Sequence, residues 1–251
     1  MPAGACTASR LYESGMLEKA AGGVMRPGGL ELTARAMDYC AFAAGANLVD
    51  VGCGAGLTVE FLREAYGLNA MGFDSSSVIV ERGLHRNPQL PLRQASGENL
   101  PLADGAMDGV LVECVLSAMA DKQRAMAEFH RVLAPDGRLI ITDLYARQSA
   151  VTSEMGLPAT SCLAGMKTRE QLGLLLKEAG FSIEVWKDHT PKLSEFVIRM
   201  IMEHGSMQPF WECQNSDARL VQGAIKASKP GYFLLIARKT REFAEGDSHE
   251  W

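Results

Sequence analysis

The run Leu48-Val49-Asp50-Val51-Gly52-Cys53-Gly54-Ala55-Gly56 constrains this chain more than any other segment. An apolar stretch ends in an acid and opens into a glycine-rich turn. Leu57, Phe61 and Leu62 then follow at helical spacing. Glycines at a strand-to-helix turn let the backbone approach a ligand and let the helix pack on its strand. The expected ligand site is the carboxyl end of that strand, where open α/β sheets bind small molecules.

The rest of the chain repeats this grammar. Apolar runs at 48–51, 70–73, 91–95, 109–113, 138–143, 181–186 and 232–237 read as strands separated by helical patterns. Alternation of that kind implies a mostly parallel sheet covered on both faces. Leu32, Ala36, Met37, Tyr39 and Cys40 read as a helix after the break Arg26-Pro27-Gly28-Gly29. Ala125, Met126, Phe129, Val132 and Leu133 mark another, with Gly137 beyond its end. Thr168-Arg169-Glu170-Gln171 is a capping box for a third, which Gly180 ends.

The expected organisation is a helical N-terminal cap at 1–45, a main domain at 46–239 and a flexible polar tail at 240–251. Residues 146–166, rich in Ser, Thr, Ala and Gly, are expected to form a mobile cover. The long 188–230 connection is expected to be a lid insertion before the last strand, because such connections usually carry structure of their own.

Composition narrows the function. A formal charge of −5 and the lack of a basic stripe argue against nucleic acid as a partner. No apolar run reaches the roughly 20 residues of a membrane span. The first ten residues lack a hydrophobic signal core, so a cytoplasmic location with free thiols is expected. The six cysteines show no CxxC spacing, so no metal site is expected.

The acids identify the ligand class. A dinucleotide fingerprint is G-x-G-x-x-G, whereas Leu57 stands here where its third glycine would be. Asp50 beside the turn is awkward for a pyrophosphate and suits an ammonium group. Asp74, 20 residues beyond Gly54, ends the second strand, where an acid accepts both hydrogen bonds of a ribose diol. A nucleoside with a cationic amino-acid arm and no phosphate matches both acids, and S-adenosylmethionine is such a molecule. Structural readings stand beside these: Asp50 capping the turn, Asp74 capping the next helix, and Cys53 as a small loop residue.

Three ordered segments extend the pattern. D-V-G-C-G-A-G at 50–56 resembles motif I of class I S-adenosylmethionine-dependent methyltransferases. Gly97-Glu98-Asn99-Leu100-Pro101-Leu102 with Met107-Asp108-Gly109-Val110-Leu111, and then His130 to Leu139, resemble segments of the ubiquinone- and menaquinone-type subgroup. The resemblance implies a Rossmann-like seven-stranded sheet of order 3-2-1-4-5-7-6, with strand seven antiparallel. It also implies methyl transfer to a small-molecule acceptor. By it, Gly52, Cys53, Gly54 and Gly56 would cradle the methionine arm, with Asp50 at its ammonium. Asp74 would hold the ribose, and Ser75 would follow the chain past the adenine. Ser96, Gly97 and Glu98 would sit at the adenine edge, with Ser96 replacing the family's usual Asp. Glu113 and Cys114 would lie beside the reactive methyl.

No single catalytic residue follows from this, because methyl transfer depends mainly on alignment and exclusion of water. A narrower resemblance bears on the acceptor. Thr142-Asp143-Leu144-Tyr145-Ala146, Ser161 to Met166 and Leu175 to Phe181 are similar to arsenite methyltransferases. There Cys162 would match a thiolate ligand of trivalent arsenic, a soft centre suited to soft ligands. Cys213 is the late cysteine, in surroundings that do not match. Cys40, Cys53 and Cys114 are the other candidates. Further acceptor candidates are Arg26 for a carboxylate, Tyr145, His189 as a base, and Trp211. In the insertion, Phe196, Met200, Met202, Met207, Phe210 and Trp211 would roof an apolar pocket, fill a small core, or pack two subunits as a homodimer.

Overall fold

The computed structural model describes residue 24 and residues 26–149, 162–207 and 218–240. Trp211, Phe210 and Cys213, nearly all of the tail and most of the expected cover fall outside these residues.

All seven expected strands form. They are β1 (Asn47–Val51), β2 (Asn69–Asp74), β3 (Leu92–Gln94), β4 (Met107–Glu113), β5 (Leu133–Ala146), β6 (Phe181–Asp188) and β7 (Pro230–Lys239). They build one sheet of order β3-β2-β1-β4-β5-β7-β6. The first five are parallel, and β7 runs antiparallel between β5 and β6. The order reverses beside β1, which opens the crevice at the β1 and β4 tips.

The helices are α1 (Gly29–Cys40), α2 (Leu57–Tyr66), α3 (Ser77–Arg86), α4 (Lys122–Val132), α5 (Cys162–Gly165), α6 (Arg169–Glu178), α7 (Thr190–His204) and α8 (Ala218–Ser228). Alternating side chains divide the core into two layers. Val49, Val51, Val110 and Val112 pack with Phe129 of α4 and Leu172 and Leu176 of α6. Leu48 and Leu111 pack on the other face, with Ala36 and Met37 of α1 and Val59 and Leu62 of α2. Asp50 and Glu113 continue that second face at the strand tips, since Asp50 lies opposite Leu111 in the register. The alternation that buries the leucines therefore aims both acids at the starts of α1 and α2.

Local signals hold where they were read. Thr168 and Gln171 form the capping box of α6. Gly28 caps α1 in the left-handed conformation, with φ 75°, directly after Pro27. The 188–230 connection contains helices α7 and α8, so its length reflects added structure. Met200 of α7 is buried, while Ile198, Ile201 and Met202 are exposed.

Candidate functional site

The glycine loop adopts a shape that side chains oppose. Gly52, Gly54 and Gly56 have φ of 77°, 55° and 82°, the left-handed region in which a Cβ is strained. A Cβ on Gly52 would lie 2.3 Å from Val115, and one on Gly56 would lie 2.7 Å from Leu92. At Gly54 the nearest atom would be 4.0 Å away, so that glycine borders open space. The Gly52 and Cys53 amides donate to the Phe73 carbonyl at 2.7 and 3.0 Å, which ties the loop to the tip of β2. The Cys53 side chain turns inward: a Cβ on Gly72 would lie 2.7 Å from it. Cys53 therefore offers the loop's outer surface its backbone, in line with the small-residue reading.

Asp74 bridges the two loops. Its Oδ2 accepts from the Gly54 amide at 2.9 Å and its Oδ1 from the Ser76 amide at 2.9 Å. The cap of α3 belongs to Ser76, whose hydroxyl oxygen accepts from Ile79. Ser75 is exposed, and its carbonyl accepts from Gln94. The adenine-edge segment is tightly held. A Cβ on Gly97 would meet Met119 at 2.7 Å and Val51 at 2.9 Å. The Ser96 hydroxyl donates to the Glu98 carboxylate, whose other oxygen accepts from the Asp121 amide at 3.2 Å. Ser96 thus keeps an oxygen lone pair as its remaining acceptor.

Asp50 and Glu113 stand at the crevice between these loops. Arg26 enters from the segment before α1, and its Nη2 lies 2.6 Å from Glu113 Oε2. The same nitrogen donates to the hydroxyls of Thr33 at 2.7 Å and Thr58 at 3.1 Å. Those hydroxyls in turn donate to the two Glu113 oxygens, at 2.8 and 3.2 Å. Glu113 is consequently buried and paired, not facing water, and Arg26 is no surface residue, with its side chain 10% exposed. The Nη2 of Arg26 is occupied by this network, whereas its Nε is sealed from solvent without a partner among the described residues. Thr33 and Thr58 were not read from the sequence. Their signal was a hydroxyl on the buried stripe of an amphipathic helix, where a polar group needs a partner.

Asp50 is different. It is 3% exposed and accepts no hydrogen bond from any described residue. Burial pushes its carboxyl up to about 8, the charge of Glu113 adds to this, and Arg26 opposes it. A buried acid in that state is stabilised by an arriving cation.

The thiols form a second group. Cys114 adopts a left-handed φ of 62°, and its amide donates to the Thr142 carbonyl at 2.6 Å. Its thiol is within electrostatic reach of Asp143, Cys162, Arg26 and Tyr232. Burial raises Cys114 well above the ordinary thiol range and pushes Cys162 up to about 12. Cys162 thus contributes to the electrostatics of Cys114, and burial favours the thiol form of both, whereas metals and metalloids bind thiolates.

Two acceptor candidates are built into the framework. Tyr145 packs edge-on against Trp186 and Phe233, and its hydroxyl donates to Asp188, itself bonded to Thr190. That position fastens β5 to the start of α7. His189 is the N-cap of α7, and its Nε2 is buried without a partner among the described residues. Burial first, and Arg35 next, lower its pKa. A cavity of about 130 Å³ lies between the start of α1 and α7, lined by residues including Arg26, Gly28, Gly29, Lys192, Phe196 and Arg199.

Comparison with known proteins agrees with this geometry. Residues 49–141 match the methyltransferase-domain family. An arsenite methyltransferase of Halobacterium salinarum is 29% identical over 152 residues, covering 57% of this chain. The chain spans only 39% of that relative's length. The [4+2]-cyclase SpnF superposes with a TM-score of 0.72 at 24% identity, covering 96% of this chain and 98% of that one. A phosphoethanolamine N-methyltransferase of Haemonchus contortus, solved with S-adenosyl-L-methionine, gives a TM-score of 0.72 at 19% identity, covering 95% and 61%. The fold is that of the class I S-adenosylmethionine-dependent methyltransferases.

Proposed function

We propose that this chain, whose residues 49–141 belong to the methyltransferase-domain family, transfers a methyl group from S-adenosylmethionine to a small-molecule acceptor. The observation that carries this reading is Asp50: a nearly buried carboxylate, 3% exposed, that accepts no hydrogen bond from a described residue and stands beside a left-handed glycine loop. That arrangement fits a nucleoside with an ammonium-bearing arm and offers nothing to a pyrophosphate.

Each residue has a distinct task in this reading. The backbone of Gly52 to Gly56 cradles the methionine arm, and Asp50 receives its ammonium. Asp74, held by the Gly54 and Ser76 amides, presents its carboxylate to the ribose. Ser96 offers its free lone pair to the adenine amine, with Gly97 and Glu98 shaping that edge. When bound, the cofactor supplies an activated methyl on a good leaving group. The chain's own contribution is to align the acceptor with that methyl and exclude water. Cys114 at the β4 tip and helices α1 and α7 form the walls.

Calorimetry with S-adenosylhomocysteine tests the reading. The wild-type protein should bind it, and Asp74→Ala should weaken binding at least tenfold. Absence of binding by the folded wild-type protein would overturn the proposal. A second reading, binding without methyl transfer, is supported by the end-to-end superposition on a cyclase. Release of S-adenosylhomocysteine across a panel of small acceptors separates the two. The metalloid reading is supported by the Halobacterium relative and by the electrostatic interaction of Cys162 with Cys114, and opposed by the raised thiols. It requires arsenite methylation that Cys162→Ser abolishes.

Among the described residues no helix is long and apolar enough to cross a membrane. A cytoplasmic setting is part of the proposal, supported by the free thiols Cys40, Cys53, Cys114 and Cys162. A homodimer through α7 is also part of it, supported by the exposed Ile198, Ile201 and Met202. Light scattering tests that contact.

A further inference from the structure

We propose that the cavity between the start of α1 and α7 seats the methyl acceptor, and that Arg199 receives a negatively charged group on it. The acceptor is then a small organic anion, a carboxylate or a phosphate ester. The inference rests on the methyl-transfer reading above and adds a substrate class to it.

The cavity stands apart from the cofactor residues. It holds about 130 Å³, and none of its lining residues comes from the glycine loop or is Asp50, Asp74 or Ser96. A cavity of roughly 150 Å³ takes a benzene ring, so this one is sized for a small acceptor or for one end of a larger one. Its position suits an acceptor as well. Arg26 forms part of the wall, and the same guanidinium is bound to Glu113 at the β4 tip, beside which the family resemblance puts the reactive methyl. The facing wall is α7. Lys192, Glu195, Phe196 and Arg199 recur there at helical spacing, so one face of that helix is turned to the cavity.

The charges of the lining single out Arg199. Arg26 is paired with Glu113. Lys192 lies 2.9 Å from Glu31 and 3.2 Å from Glu195, and Glu31 also pairs with Arg35. These pairings leave one charged lining residue over. Arg199 makes no hydrogen bond or ion pair with a described residue. A positive charge left over at a cavity, in a chain of formal charge −5, favours an anionic ligand. The planar guanidinium matches the oxygens of a carboxylate or a phosphate. Phe196, half-buried and one turn before Arg199, offers an apolar surface to the body of the same molecule.

Anion recognition can be measured with simple probes. Benzoate and phenyl phosphate carry the charge, and benzamide is a neutral isostere of benzoate. Saturation-transfer NMR would measure their Kd on protein saturated with S-adenosylhomocysteine, at low ionic strength, where an exposed charge is least screened. The proteins are wild type, Arg199→Gln and Arg199→Lys. Arg199 is exposed, so neither change threatens the fold. One charge-assisted hydrogen bond corresponds to about tenfold or more in affinity. The wild-type protein should prefer at least one anion over benzamide by that factor, and the tighter of the two tells a carboxylate seat from a phosphate seat. Arg199→Gln should erase the preference while benzamide binding stays within about twofold, and Arg199→Lys should keep part of it. Among acceptors that turn over, Arg199→Gln should raise KM with little change in kcat. A wild-type protein that binds none of the probes or shows no preference, a preference that survives Arg199→Gln, or turnover confined to neutral or cationic acceptors would overturn the inference. Loss of S-adenosylhomocysteine affinity in Arg199→Gln would also overturn it, by moving Arg199 into the cofactor site. Failure of the wild-type protein to bind S-adenosylhomocysteine would instead sink the reading on which the inference rests.

Discussion

The tips of β1 and β5 each carry a buried aspartate, and the two are equipped very differently. Asp143 at the β5 tip accepts from the Ser117 amide at 2.8 Å, the Ser117 hydroxyl at 2.7 Å and the Leu144 amide at 2.6 Å. Asp50 at the β1 tip accepts nothing from the described residues. Burial raises both carboxyls, but at Asp143 hydrogen bonds work against the shift, whereas Asp50 has a second carboxylate, Glu113, reinforcing it. Asp143 is the signature of an acid that organises its own loop. Asp50 has no such partner among the described residues, and in the proposed function that place falls to the cofactor's ammonium. The contrast separates structure from function without reference to family, because a satisfied acid repays its burial locally and an unsatisfied one does not.

The largest expected effect is on stability at Asp143. Asp143→Ala strips acceptors from two amides and a hydroxyl and should destabilise the fold by about 3 kcal/mol in urea unfolding, with cofactor affinity following only as far as folding does. A loss under about 1 kcal/mol would break the contrast from that side. Asp50→Asn should do the reverse. Affinity for S-adenosylhomocysteine should fall at least tenfold, while stability at pH 8 stays level or rises.

The sign of the pH dependence follows from the raised carboxyl. A folded pKa above the unfolded value means that the favourable contribution is complete below about pH 4. It is lost as pH rises through the folded value of about 8. The unliganded protein should therefore become less stable across that window, and Asp50→Asn should flatten the slope. Asp143 contributes with the same sign, so some slope should persist.

The glycines sharpen the comparison on a smaller scale. Gly52→Ala drives a methyl into Val115 and should destabilise by about 2 kcal/mol in thermal or urea unfolding. Gly54→Ala meets open space and bears mainly its backbone penalty, about 1 kcal/mol, so its effect should register chiefly as weaker nucleoside binding. The smallest effect is expected at Cys162→Ser, which should leave S-adenosylhomocysteine affinity within about twofold. A larger loss would connect the thiol group to the cofactor crevice.

The fold was legible because its determinants are local. Each strand of the 48–51 type is an apolar run bounded by turn residues, and the capping box at Thr168 needs only four positions. Asp50, Asp74 and the three glycines were legible for the same reason: a strand tip and a turn fix their places. The network around Glu113 was not legible. Arg26, Thr33, Thr58 and Glu113 come from four separate elements, and the Thr33–Glu113 bond spans 80 residues. Charge and polarity mark such residues as needing partners, but only the register of β1 with β4 and the seating of α1 decide which. Ser96 shows a subtler limit. The sequence places it where the family has Asp, but only the structure shows that its proton is directed to Glu98. Tyr145 was read as an acceptor contact, yet the antiparallel return of β7 and the end of β6 surround it with Phe233, Trp186 and Asp188.

Proton release on binding tests the central claim most directly. Titrations of S-adenosylhomocysteine at pH 7, run in buffers of different ionisation enthalpy, count the protons exchanged. An ammonium docking at Asp50 should expel close to one proton from the wild-type protein and none from Asp50→Asn, which should also bind at least tenfold more weakly. Tight binding without proton release, or an Asp50→Asn variant that binds and exchanges protons like the wild type, would contradict the account.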